Sequence, residues 1–260
     1  MLNVSSYLDR ISYAGPTAPN IETLRALHRA HMLAVPFENL DIALGRTIVL
    51  EEKALLRKIV DHRRGGFCYE LNGTFSALLR ALGFQVTLLS ARVARANGGE
   101  GPDFDHLTLR VDLDEPWLAD VGFGESFLEP LRLNAGIEQL DPAGKFRLVR
   151  LEDRFQMERC EPDGSWKRQY SFNLQPHELR DYSAMCRHHQ TSPDSSFTRN
   201  RVCSLAMPDG RITLSEMNFI MTRNGHREER MLKSEQERAA LLRDQFGIIE
   251  PPPVSGLEGE

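Results

Sequence analysis

One cysteine, in the run RRGGFCYELN at residues 63–72, stands where a thiol could act as a nucleophile. Gly65 and Gly66 before it permit positive φ or a close backbone approach. An apolar stripe of helical spacing starts within a few residues of Cys68, so the thiol is expected at a helix N-terminus. There the unpaired backbone N–H groups and the positive end of the helix dipole favour thiolate over thiol. An ordinary cysteine is only about 3% thiolate at pH 7, so a pKa lowered past neutrality raises the reactive fraction roughly thirtyfold. The competing use of such a residue is as a small apolar side chain packing the start of a helix.

A nucleophilic thiol needs a base, and the base needs a group that fixes its tautomer. Among eight histidines, His106 opens the alternating run HLTLRVDL, in which Leu107, Leu109, Val111 and Leu113 take the other face. The next run, PWLADVGFG, places Asp120 between Ala119 and Val121, a costly position for a carboxylate without a partner. A hairpin through the intervening DEP joins the two runs. Directly opposed residues share a face, so His106 and Asp120 share one only if paired residue numbers have an even sum. That requires an odd loop or a bulge, and a two-residue loop at Asp114 and Glu115 would turn Asp120 away.

These side chains must be carried by elements of two kinds. In the first third the spacing is helical: NIETLRALHRAHML sets Ile21, Leu24, Leu27 and His31 on one face behind the N-cap candidate Asn20. EEKALLRKIVDH repeats the pattern more weakly. The segment after Cys68 lines up Leu71, Phe75, Leu78, Leu79 and Leu82, with Gly83 as a C-terminal cap. From Gln85 the period changes to two, in QVTLLSARV, HLTLRVDL, PWLADVGF, KFRLVRLE, RFQMERCE and WKRQYSFNL, which predicts a sheet or partial barrel. After Ser192 the pattern predicts the hairpin RVCSLAMPDGRITL, the strand NFIMTR and a helix in SEQERAALLRDQF, before a tail, EPPPVSGLEGE, expected to be mobile.

Composition limits the function classes. The 260 residues carry a formal net charge of −5, and charged residues make up 27% of them. A protein of that balance lacks the positive field of a nonspecific nucleic-acid binder. No apolar run reaches the length of a membrane span, and the first residues lack the pattern of a signal peptide, so a cytoplasmic protein is expected. The four cysteines, at 68, 160, 186 and 203, form no CxxC pair and are expected as free thiols. CRHHQ at 186–190 has no zinc-ligand spacing, and His28 and His31 suit packing, capping or exposure equally, so no metal site is assigned.

RRGGFCYELN, FDHLTLRV and WLADVGFG, with ALHRAHMLAVPFENLDI before them and TSPDSSF after, resemble the arylamine N-acetyltransferase family. The resemblance implies an α+β chain of three domains. An N-terminal helical bundle (1–84) carries the nucleophile, a central β-barrel (85–191) carries histidine and aspartate, and a C-terminal α/β lid (192–260) includes the tail. At the junction of the first two it implies a papain/transglutaminase-like Cys-His-Asp core, onto which Cys68, His106 and Asp120 fall. It further implies a buried Arg64–Glu38 ion pair, an acceptor pocket lined by Phe37, Val93 and Phe123, and a donor contact at Phe197.

The activity so implied is ping-pong transfer of acetyl from acetyl-CoA to aromatic amines or hydrazines, with acetyl-CoA as co-substrate and no tightly bound cofactor. Three readings compete with it. They are an amide synthase of polyketide biosynthesis, a cysteine hydrolase using the same triad, and a binding module in which Cys68 only packs.

Overall fold

The computed structural model describes residues 2–251. The expected mobile tail, apart from Glu250 and Pro251, lies outside them. Five helices precede the first long strand: α1 (Val4–Arg10), α2 (Ile21–Ala34), α3 (Leu40–Ala43), α4 (Glu52–Leu56) and α5 (Cys68–Ala81). Asn20 caps α2 by accepting from the Thr23 N–H at 2.8 Å. The weaker pattern after Glu51 becomes α4 followed by a π-helical turn over Arg57–Asp61. Helix α5 is the central post. Leu71, Phe75, Leu78 and Leu79 are all fully buried, and Gly83 follows its end at a φ of 91°.

The middle of the chain forms an eight-stranded antiparallel barrel-like sheet from β2 (Gln85–Val93), β3 (His106–Asp112), β4 (Pro116–Ala119), β5 (Leu131–Arg132), β6 (Glu138–Asp141), β7 (Gly144–Arg150), β8 (Phe155–Cys160) and β9 (Trp166–Phe172). Its order is β5-β4-β3-β2-β9-β8-β7-β6. One face, with Leu88, Leu107, Leu109, Val111 and Ala119, packs on the helices, and the other, with Leu89, Ala91, Leu118 and Tyr170, encloses a second core.

A second sheet follows α6 (Ser183–Thr191) and α7 (Ser196–Arg199). It is built from β10 (Val202–Met207), β11 (Gly210–Ser215), β12 (Asn218–Arg223) and β13 (His226–Met231), with α8 (Glu235–Phe246) against it. Its first strand comes from the N-terminal region: β1 (Phe37–Glu38) pairs with β10 on one side, Phe37 opposite Ser204, and bridges to Gly66 on the other. The loop ahead of Cys68 is thereby tied through two residues to the distant sheet.

Candidate active site

Gly65 makes the approach to Cys68 possible. A Cβ there would lie 2.0 Å from the Pro36 carbonyl oxygen, so close backbone packing rather than positive φ excludes a side chain. The same loop is held by five charged side chains, four of them buried. Arg64 contacts Glu38 at 2.8 Å and Asp41 at 3.1 Å, while Lys58 contacts Asp41 and Glu70 at 2.8 Å each. The resemblance implied only the Arg64–Glu38 pair. Glu70, two residues beyond Cys68, also accepts from the Phe67 N–H at 3.1 Å, which satisfies a donor at the start of α5. Burial pushes the Glu70 carboxyl up to about 7, and Lys58 opposes that shift.

Cys68 is the first residue of α5 and is 4% exposed. It meets the end of β4 where Gly122 allows contact, since a Cβ at 122 would sit 2.8 Å from the Cys68 Cα. Strands β3 and β4 pair in the register that the shared-face argument required. Leu109 lies opposite Ala119 and Asp112 opposite Pro116, leaving a loop of Leu113, Asp114 and Glu115. Asp120, just past β4, therefore shares the His106 face, and His106 Nε2 lies 2.7 Å from Asp120 Oδ2. With the carboxylate as acceptor, Nε2 carries the proton and Nδ1 is left to accept one.

Asp120 is fully buried. Its Oδ1 accepts from Asn72 Nδ2 at 2.9 Å and from the Gly122 N–H at 3.0 Å. Burial opposes ionisation of this carboxyl, yet His106, Asn72 and Gly122 together hold it below the ordinary carboxylate range. Asn72, one turn after Cys68, also donates to the Leu107 carbonyl at 2.6 Å and accepts from the Val121 N–H at 2.9 Å. One side chain thus clips α5 to β3 and to the segment after β4. The spacing of Asn72 from Cys68 could have exposed it in the sequence.

The Cys68 thiol does not follow the expectation from its helix position. Burial pushes it up, a backbone hydrogen bond with Leu107 opposes the shift, and the negative charge of Asp120 adds to it. Desolvation thus acts against the thiolate that a helix N-terminus favours. A thiol so buried needs a base in the same cavity to take its proton, and His106 lines that cavity.

Cys68, His106, Phe37, Val93, Phe123 and Phe197 all line one cavity of about 260 Å³. Asp120 stands behind His106. The Phe123 ring meets His106 edge-on at 5.1 Å between centroids, and Phe37 and Phe197 lie 6.2 Å apart. Sequence reasoning passed over the polar side of the cavity. There Asp105 pairs with Arg95 at 3.2 Å and lies 3.3 Å from His189 Nε2, and next to Cys68 in sequence Tyr69 donates to the Phe104 carbonyl at 2.6 Å. His189, from the run CRHHQ, lines this cavity. Among the described residues no group of His, Cys, Asp and Glu is arranged to hold a metal, all four cysteines are free, and no helix is long and apolar enough to cross a membrane.

A family profile described as N-acetyltransferase matches residues 20–250. The arylamine N-acetyltransferase of Escherichia coli K12 is 37% identical over 249 residues, covering 94% of this chain and 88% of its own. Solved structures agree. That of the Salmonella typhimurium arylamine N-acetyltransferase is 35% identical with a TM-score of 0.90, covering 97% of this chain and 93% of its own. That of the Mycobacterium marinum enzyme in complex with CoA is 33% identical with a TM-score of 0.89, covering 95% and 93%. The chain belongs to the arylamine N-acetyltransferase family. It is an acyltransferase.

Proposed function

We propose that the protein moves an acetyl group from acetyl-CoA to an arylamine or arylhydrazine through an acetyl-cysteine intermediate, with Cys68, His106 and Asp120 as its catalytic residues in a papain/transglutaminase-like core. The observation that carries this reading is the 2.7 Å contact of His106 Nε2 with buried Asp120 in a cavity that His106 shares with Cys68. The helical, barrel and lid units divide near residues 84 and 191, and the unpaired cysteines fit a reducing cytoplasm.

The Cys68 proton passes to His106 Nδ1 as sulfur attacks the thioester carbonyl. The tetrahedral intermediate collapses, its carbon–sulfur bond to CoA breaks, and the leaving thiolate takes the proton from His106. The new bond is again a thioester, so this half-reaction is close to balanced. A neutral aromatic amine then attacks the acetyl carbon and its proton goes to His106. Collapse expels the Cys68 sulfur and leaves an amide. Asp120 holds the imidazole orientation and stabilises its cation. Phe37, Val93 and Phe123 offer apolar contact to an aryl ring, and the same apolar walls keep water from the acyl-cysteine.

Alkylation of Cys68 by iodoacetamide, followed against pH in the native protein and in Asp120→Asn, tests the triad. The native protein is expected to react well below pH 8, with the profile displaced upward in the variant. Superimposed profiles would remove Asp120 from the triad.

A further inference from the structure

Two buried polar side chains of the Cys68 cavity take no part in the chemistry assigned to Cys68, His106 and Asp120. They are Asp105 and His189, 6% and 7% exposed. Phe104, just ahead of Asp105, is a non-glycine residue in the left-handed region, at a φ of 65°. Its N–H donates to Ser90 Oγ at 2.7 Å and its carbonyl accepts from Tyr69 at 2.6 Å, so both polar groups of the strained residue are satisfied. Gly101 leaves room for the Asp105 carboxylate, because a Cβ at 101 would lie 2.0 Å from Oδ2. The half-exposed Arg95 reaches both carboxylate oxygens with one nitrogen, Nη2, at 3.2 and 3.3 Å, rather than with the paired fork a guanidinium can offer. Asp105 therefore keeps spare acceptor capacity.

His189, on α6, stands beside it. Its ring stacks on that of Tyr69, the neighbour of Cys68, at 6.1 Å between centroids, and meets Phe197 edge-on at 5.2 Å. Nδ1 lies 3.2 Å from Ser195 Oγ, which already accepts from the Phe197 N–H and has its own hydrogen to donate. The Asp105 carboxylate, 3.3 Å from Nε2, favours the proton on that nitrogen. Yet Nε2 is out of hydrogen-bond alignment with the carboxylate and, among the described residues, has no hydrogen-bond partner. A buried donor and a carboxylate with spare lone pairs thus line one cavity. A third group that accepts from the first and donates to the second would complete both.

We propose that Asp105 and His189 form a polar subsite for the acceptor, selecting an aryl amine whose ring carries a neutral group that both donates and accepts a hydrogen bond, such as a hydroxyl, over one carrying a methyl or a carboxylate. The proposal rests on the arylamine reading of the Cys68 cavity. The Nε2–H of His189 donates to the ring hydroxyl oxygen, and the hydroxyl hydrogen is donated to Asp105. A methyl group leaves both protein groups unsatisfied, and a carboxylate meets the like charge of Asp105.

The test is competition between two amines of similar basicity and size, an aminophenol and the corresponding methylaniline, in the meta and para series, with acetyl-CoA as donor. In a ping-pong scheme the product ratio reads the ratio of kcat/KM for the two acceptors and does not contain the donor step. The native protein is expected to favour the aminophenol roughly tenfold in one series, and His189→Leu to bring that ratio close to one. His189→Gln, which keeps a donor, is expected to retain part of the preference. In Asp105→Asn the ratio of aminobenzoate to methylaniline is expected to rise, since the negative charge is gone. An aminophenol preference that is absent from the native protein, or that survives in His189→Leu, would overturn the subsite. So would a native preference for aminobenzoate that is lost in Arg95→Gln, which would assign the polar side of the cavity to a carboxylate held by Arg95. Variants that slow acetylation of Cys68 by acetyl-CoA while keeping the native acceptor ratio would assign the pair to the donor and overturn the proposal as well. Thermal melts report folding, and should His189→Leu fail to fold, His189→Gln and Asp105→Asn decide the matter by the same ratios. A native protein that acetylates neither amine contradicts the arylamine reading itself, a result distinct from equal rates on both.

Discussion

His28 Nε2 accepts a hydrogen bond from the Asp120 backbone N–H at 3.0 Å, although 92 positions separate the two residues. Its other ring nitrogen, Nδ1, therefore carries the proton and donates to the Leu128 carbonyl at 2.8 Å. A neutral imidazole on α2 thus spans both ends of the segment that contains Asp120, Gly122 and Phe123. His28 is a positioning residue. Its role is invisible in the local sequence, where it reads as one more residue on an amphipathic helix.

Replacing His28 by Gln keeps an acceptor and a donor, whereas Leu leaves the buried Asp120 N–H and Leu128 carbonyl unpaired. His28→Leu is expected to lose about 2 kcal/mol of stability or more, and to shift the pH profile of Cys68 alkylation upward. His28→Gln is expected to restore most of both. Urea unfolding and the alkylation profile check this, and a profile unmoved in His28→Leu would make the residue purely structural.

The same burial has a pH signature. Desolvation pushes the His28 imidazole down to about 4, against the hydrogen bonds and the Asp120 charge that favour protonation. An unfolded histidine takes up its proton near pH 6.5. Between those values the unfolded chain binds a proton that the folded chain refuses, so the His28 contribution is intact above about pH 6.5 and is lost as pH falls toward 4. Glu70, pushed up to about 7, has the opposite slope, because its folded form binds the proton more readily. The difference between native protein and His28→Gln isolates the histidine. The variant is expected to gain about 3 kcal/mol relative to the native protein between pH 7 and pH 4. A pH-independent difference would show that His28 titrates alike in both states.

Arg64 sits among Glu38, Asp41, Lys58 and Glu70, where a missing partner leaves buried charge unbalanced. Arg64→Met is expected to cost about 3–5 kcal/mol, and Arg64→Met with Glu38→Gln to cost less than the single change. Chemical denaturation of the two variants reads this directly. A double variant less stable than the single one would contradict the assignment.

Phe123 touches His106 and faces the cavity, so Phe123→Ala removes apolar contact that an aryl acceptor makes. The expected cost to kcat/KM for the amine is about 1–3 kcal/mol, roughly tenfold to a hundredfold. Release of CoA in the first half-reaction is expected to change much less. Equal slowing of both steps would point to core damage.

Much of the site was legible because its residues lie on strongly periodic elements. The alternation around His106 and the parity argument for Asp120 required only that two strands pair through a loop of odd length, and the structure has that loop. Helix α5 was legible for the same reason, from the stripe of Leu71 to Leu82. Other features were not. Strand β1 has two residues, too few to show a period. Strand β13, HREERM, is an exposed edge whose charged side chains guard its free hydrogen-bonding groups and erase the apolar alternation. The direction of the thiol shift depends on burial, which the helix position alone does not reveal.

The claim on which the account depends is that Cys68 itself carries the acetyl group between donor and acceptor. Intact-protein mass spectrometry after mixing with acetyl-CoA alone, followed by peptide mapping, tests it most directly. A gain of one acetyl group located on Cys68 is expected, disappearing when an arylamine is added, with no gain in Cys68→Ser. Turnover of the amine with no acetylated protein at any time, or with the label on another residue, would contradict it.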